Sequence, residues 1–135
     1  MIPISLIYAL EGYPEFAQAL TLLFTAIDEG MVKTVTSELS LAESLAKPLM
    51  DDNTALENLY LEAFQPSPSL KVVPISRQII IESARLRAKS KILKLPDAIH
   101  FATARMSGCQ TFLANDKELK SVPDFDVAIL SEEMF

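Results

Sequence analysis

Three carboxylates stand in places where side chains of that type do chemistry. Glu43 lies in Glu38-Leu39-Ser40-Leu41-Ala42-Glu43-Ser44, Asp97 in Leu95-Pro96-Asp97-Ala98-Ile99-His100, and Asp116 in Leu113-Ala114-Asn115-Asp116. Each alone has an ordinary explanation. Asp is a favoured helix cap, which suits Asp116 ahead of Lys117-Glu118-Leu119. An acid in a first turn complements the helix dipole, which suits Asp97. Glu43, two turns into its helix, can face water. Together they ask for more. Carboxylates that converge repel one another and raise one another's pKa unless a cation sits between them. Mg²⁺ or Mn²⁺ is the natural occupant, since such a hard cation takes oxygen ligands, keeps several waters and completes its shell with substrate phosphates. That is equipment for metal-assisted phosphodiester hydrolysis, in which the cation lowers the pKa of bound water and offsets charge on the transition state.

Other polar groups flank these acids. His100 follows Asp97 by three residues, on one face of a helix otherwise made of Ala98, Ile99, Phe101, Ala102 and Ala104. An acid and a histidine there need partners if buried. The ordinary reading of His100 is a packed or hydrogen-bonded helix histidine. Lys47 sits one turn after Glu43, and Arg105, Lys94 and Lys117 flank the other two acids. They are candidates for phosphate contact, although a salt pair or a solvated surface is the commoner fate of such residues. Arg85, Arg87, Lys89, Lys91 and Lys94 form the densest basic stretch. It reads as a solvated helix face first and a backbone-steering patch second.

Composition removes several alternatives. The chain has 135 residues, 12 Lys+Arg against 18 Asp+Glu, and a net charge of −6. A sequence-wide basic field is excluded, so an anionic polymer would need a local patch or a metal. Half of the residues are hydrophobic, enough for one core and one domain over residues 1–135. The three glycines are isolated and form no phosphate loop. Tryptophan is absent and no aromatic ladder offers to stack bases, so sequence-specific RNA readout has no visible basis. A single cysteine, Cys109, can form neither an intrachain disulfide nor a cysteine-based zinc site, and no motif marks it as a nucleophile. With no transmembrane run and no basic signal-peptide start, the expected location is a reducing cytoplasm without membrane association.

The elements that must position the acids alternate along the chain. Strands are expected at Ile4 to Tyr8, Val32 to Thr36, Leu70 to Ile75, Thr111 to Ala114 and Asp126 to Leu130. A helix with Phe16, Leu20, Leu23, Phe24 and Ile27 closes at Gly30. The next carries Leu39, Ala42, Leu45 and Leu49 on its inner side. Another starts at a cap on Asp51 or Asp52, turns Leu56, Leu59, Tyr60 and Phe64 inward, and ends before Pro66. Ser76 caps a helix with Ile79, Ile80, Ala84 and Leu86. Pro96 sits in the first turn of a helix over Asp97 to Met106 that stops near Gly108. The order β-α-β-α-α-β-α-α-β-α-β implies an α/β fold, a mostly parallel sheet between helical layers. Ligands of such sheets bind beyond the carboxyl ends of the strands.

Several stretches are similar to the PIN domain family, and among its members to the VapC-type toxins of toxin–antitoxin pairs. They are Thr36-Ser37-Glu38-Leu39-Ser40-Leu41-Ala42-Glu43, Leu95-Pro96-Asp97-Ala98-Ile99-His100-Phe101-Ala102-Thr103-Ala104 and Phe112-Leu113-Ala114-Asn115-Asp116, together with the opening Leu6-Ile7-Tyr8-Ala9-Leu10-Glu11-Gly12. The resemblance implies a three-layer α/β/α fold with a central five-stranded sheet. It also implies a Mg²⁺- or Mn²⁺-dependent endoribonuclease, dimerisation, and inhibition by an antitoxin. By position, Glu43, Asp97 and Asp116 match three acids of the family that hold metal, Asn115 a polar neighbour, and His100 a common motif position. One departure stands out. The first acid of the family, near the end of strand one, falls here on Ile2, which carries no oxygen. The resemblance therefore implies a shortened first strand and impaired activity, with a degenerate PIN-like binding or decoy protein as the alternative. An in-frame Asp encoded upstream of Met1 would restore the set.

Overall fold

In the computed structural model, residues 3–6, 33–68, 70–109, 111–114 and 117–129 are described. They form an α/β fold of parallel strands and four α-helices. Strands β1 (Pro3–Leu6), β2 (Lys33–Ser37), β3 (Leu70–Val73), β4 (Thr111–Ala114) and β5 (Asp126–Ile129) lie in the order β3-β2-β1-β4-β5. Every pairing is parallel; Ile4 stands opposite both Thr34 and Thr111. At four residues, β1 is as long as β3, β4 and β5. Parallel strands are covered on both faces. In β2 that buries Thr34, Val35, Thr36 and Ser37 in succession.

The first described helix, α1 (Glu38–Met50), begins where Ser37 Oγ accepts the Leu39 amide at 3.1 Å. Of the expected inner row, Leu39 packs against the core and Leu45 is half-buried, but the row is not the most buried one. Ser40, Ser44 and Pro48 are buried instead, whereas Ala42 and Leu49 are exposed. The hydroxyls make this possible by satisfying themselves: Ser44 Oγ donates to the Ser40 carbonyl at 2.7 Å, and Thr36 Oγ1 donates to Ser40 Oγ at 2.9 Å. Small side chains on one face then bring the helix backbone close to its neighbours.

Helix α2 (Thr54–Ala63) is capped by Asn53, whose Oδ1 accepts the Leu56 amide at 3.1 Å. This corrects the expected cap on Asp51 or Asp52. Asp51 closes α1, its amide donating to the Lys47 carbonyl at 3.0 Å, and Asp52 reverses the chain at φ 51°. A left-handed residue cannot serve as an N-cap, which takes an extended backbone. Tyr60 and Phe64 are buried as expected, but Leu59 is exposed.

Ser76 caps α3 (Arg77–Lys89) as its sequence implies, accepting the Ile79 amide at 3.2 Å. Ile79 and Leu86 face inward; Ile80 and Ala84 do not. Helix α4 (Leu95–Met106) has Pro96 in its first turn and packs against α3, β1 and β2. Its residues Ala98 to Ala104 are all buried. Gly108, at φ 72°, ends that helix in a conformation open to glycine. Phe101 stacks on Phe112 of β4 with ring centroids 3.7 Å apart, and Phe125 meets Phe101 edge-on at 4.6 Å.

The expected helix from Phe16 to Ile27 with its stop at Gly30 lies outside the described residues. So do the strand ends at Tyr8, Val32 and Leu130 and the position of Ile2. No described helix is long and apolar enough to cross a membrane.

Candidate active site

Glu43 and His100 meet. Glu43 of α1 reaches α4, where its Oε1 lies 2.6 Å from His100 Nε2. The two residues are 57 positions apart in the chain. An ionised carboxylate only accepts, so Nε2 carries the proton and donates it. The short distance is that of a charge-assisted bond. His100 is 2% exposed, whereas a third of the Glu43 side chain remains open to solvent. The histidine thus finds the partner that its burial on an apolar helix requires.

Asp97 is half-buried in the first turn of α4. It lies one turn ahead of His100 on the same helical face. Glu43 thus meets α4 at His100, one helical turn from Asp97. Asp116 and Asn115 lie outside the described residues. Lys47, one turn along α1 from Glu43, is exposed and pairs with Asp51 at 3.4 Å. Arg105 is eight residues beyond Asp97, about 12 Å along the helix. It pairs with Glu82 of α3 at 3.2 Å and lies over the Phe125 ring at 5.0 Å.

The donor set can be tested against a cation. Among the described residues no group of three His, Cys, Asp or Glu side chains could hold a metal ion. Of the three acids, Glu43 and Asp97 are described, and with His100 they do not make such a group. The donors of the two acids are all oxygens, and Mg²⁺ is commonly held by one or two carboxylates with waters and substrate phosphates. The pair fits that chemistry. Nothing in it fits a soft, thiolate-seeking metal.

The other end of α4 is different in kind. A cavity of about 150 Å³ is lined there by Arg105, Cys109, Phe125, Asp124 and Asp126 among others. Burial pushes the Cys109 thiol up, with Lys71 pulling weakly the other way. A thiol held protonated is a poor nucleophile, in line with its lack of a motif.

Sequence reasoning placed Glu43 and His100 separately and left the histidine's partner open. The signal was there in part: a histidine amid Ala98, Ile99, Phe101 and Ala102 must bond to something. No spacing rule names a residue on another helix.

Comparison with known proteins bears on the fold and the family. No curated protein sequence matches the chain. Among solved structures, it is similar to VapBC2 from Rickettsia felis bound to a DNA fragment from their promoter. The identity is 18% and the TM-score 0.65, over 96% of this chain and 98% of that one. It is similar to a toxin–antitoxin complex from Klebsiella pneumoniae at 20% identity and a TM-score of 0.60, covering 96% and 98% of the two chains. It also resembles Mycobacterium tuberculosis VapC20, a toxin that cleaves the sarcin–ricin loop, at 17% identity and a TM-score of 0.56 over 67% and 71%. The PIN domain family matches residues 5–124. With that match spanning nearly the whole length and the parallel fold in agreement, the chain belongs to the PIN domain family.

Proposed function

We propose that the chain is a divalent-metal-dependent endoribonuclease of the VapC toxin type, a single three-layer PIN domain over residues 1–135 acting on RNA phosphodiesters in the cytoplasm. Glu43, Asp97 and Asp116 hold Mg²⁺ or Mn²⁺ in this reading. The observation that supports it is the 2.6 Å contact of Glu43 with His100, one helical turn from Asp97, in a chain of this family. PIN domains typically use divalent metals. When bound, such a cation supplies charge to offset that of the phosphodiester and activates a water near neutral pH.

The protein's own groups do the rest. Glu43 and Asp97 give the site its negative charge and its oxygen donors. Asn115 and Lys47 orient the phosphate; the exposed Lys47–Asp51 pair is cheap to break, since surface pairs of this kind contribute little. Arg105, the third group assigned to substrate, must leave Glu82 and Phe125 to reach a phosphate, which makes it the weakest of the three. A cognate antitoxin and a second copy of the chain are the partners, in keeping with similar structures solved as toxin–antitoxin complexes.

Ile2 in place of the family's first acid favours a second reading, a PIN-like protein that binds without cutting. One assay separates the two. Purified protein is incubated with structured and unstructured RNA in Mg²⁺ or Mn²⁺, beside Asp97→Asn. Cleavage by the parent that falls about 100-fold or more in the variant supports the nuclease. Equal cleavage by both defeats it, and RNA binding without cleavage supports the second reading.

A further inference from the structure

We propose that His100 is a positioning residue for Glu43: its buried imidazole donates to Oε1 and sets the carboxylate so that the second oxygen serves the cation. The inference rests on the reading of Glu43 as a metal ligand. Three features of the structure support it. The imidazole is 2% exposed, so the ring has little freedom. Glu43 is the opposite case, a long side chain with several rotatable bonds and one third of its surface open. A rigid donor on a flexible acceptor fixes the acceptor. The bond also joins two helices, so Glu43 is held at a fixed point of α4, one turn from Asp97, and not against a loop.

A purely structural role for this bond makes a different forecast. A bond that only ties α1 to α4 affects stability and leaves cation affinity alone. A positioning bond affects cation affinity beyond any change in stability. Partners that orient metal ligands typically change affinity by about 10- to 100-fold when removed.

The experiment uses the full chain with Mn²⁺ alone, its binding followed by electron paramagnetic resonance, and with unfolding temperatures measured in parallel. His100→Gln places an amide N–H near the Nε2 position, whereas the shorter His100→Asn does not reach it. The expected result is near-parental Mn²⁺ affinity for H100Q and a loss of about tenfold or more for H100N. In a Glu43→Gln background the second substitution should add nothing. The chain has a single histidine, so one imidazole ¹H–¹⁵N signal reports the contact. That signal should shift on E43Q and on addition of Mg²⁺. Parental Mn²⁺ affinity in folded H100N overturns the proposal, as does an H100N loss that persists in E43Q. If H100N fails to fold, a folded H100Q with tenfold weaker Mn²⁺ binding overturns it equally. Absence of Mn²⁺ binding by the parent protein overturns the metal reading of Glu43 and this proposal with it, whereas binding that ignores His100 overturns only the latter.

Discussion

Helices α1 and α4 meet at the candidate site but are built on opposite plans. Helix α4 buries seven residues in a row, and its aromatic ring Phe101 stacks on the sheet. Helix α1 buries two serines and a proline and leaves Leu49 and Met50 in solvent. The difference teaches that closeness, and not hydrophobicity, decides what α1 turns inward. Its hydroxyls bond to carbonyls and to one another, so their burial costs little, and their small volume admits a near approach. Glu43, half-buried on the same helix, reaches His100 of α4. One helix supplies stability; the other supplies reach.

The largest break in this comparison should come from Phe101→Ala. It removes a fully buried ring and two aromatic contacts, and we expect a loss of about 3–5 kcal/mol in urea unfolding. Next comes α1 read against its apparent polarity. Ser40→Leu overfills a closed face and should cost about 1–3 kcal/mol. Leu49→Ser, on the exposed side of that helix, should stay within about 0.5 kcal/mol. If Leu49→Ser proves the costlier of the two, the serine face is not the packed one. Of about 1 kcal/mol is the expected loss in Asn53→Ala, the observed cap, against almost none in Asp51→Ala. Thermal melts of the two variants decide which residue starts α2.

Smallest are effects at the far end of α4. Burial holds the Cys109 pKa above its ordinary value of 9.0, so the folded protein keeps a proton that the unfolded chain gives up. The contribution is complete below pH 9 and is lost as pH rises from there through the folded value. A stability–pH curve should therefore slope downward in that alkaline window, and less so in Cys109→Ala. Alkylation of the native thiol at neutral pH should be slow beside that of the urea-unfolded chain.

How much of this was legible in the residues differs between the two helices for the same physical reason. In α4 the apolar run, Pro96 in the first turn and Gly108 beyond the end all pointed one way, and the helix bounds and burial agree with them. The Ser76 cap was equally plain. In α1, two rows of residues compete at helical spacing, Leu39-Ala42-Leu45-Leu49 and Ser40-Ser44-Pro48. A rule based on hydrophobic period picks the first. It misses that serine hydroxyls can satisfy themselves on the preceding turn of a helix. At the site, Glu43 and Asp97 were singled out by residue type and position. The contact of Glu43 with His100 joins positions 57 apart on two helices, which no local pattern encodes.

The position of β1 has a practical consequence. It is the middle strand, and its pairing of Ile4 with Thr111 joins segments far apart in the chain. The centre of the sheet is therefore a seam that closes late, and non-local pairing of this kind is slow and exposed to aggregation. Substitutions that loosen the Ile4–Thr111 pairing would therefore slow folding as well as lower stability.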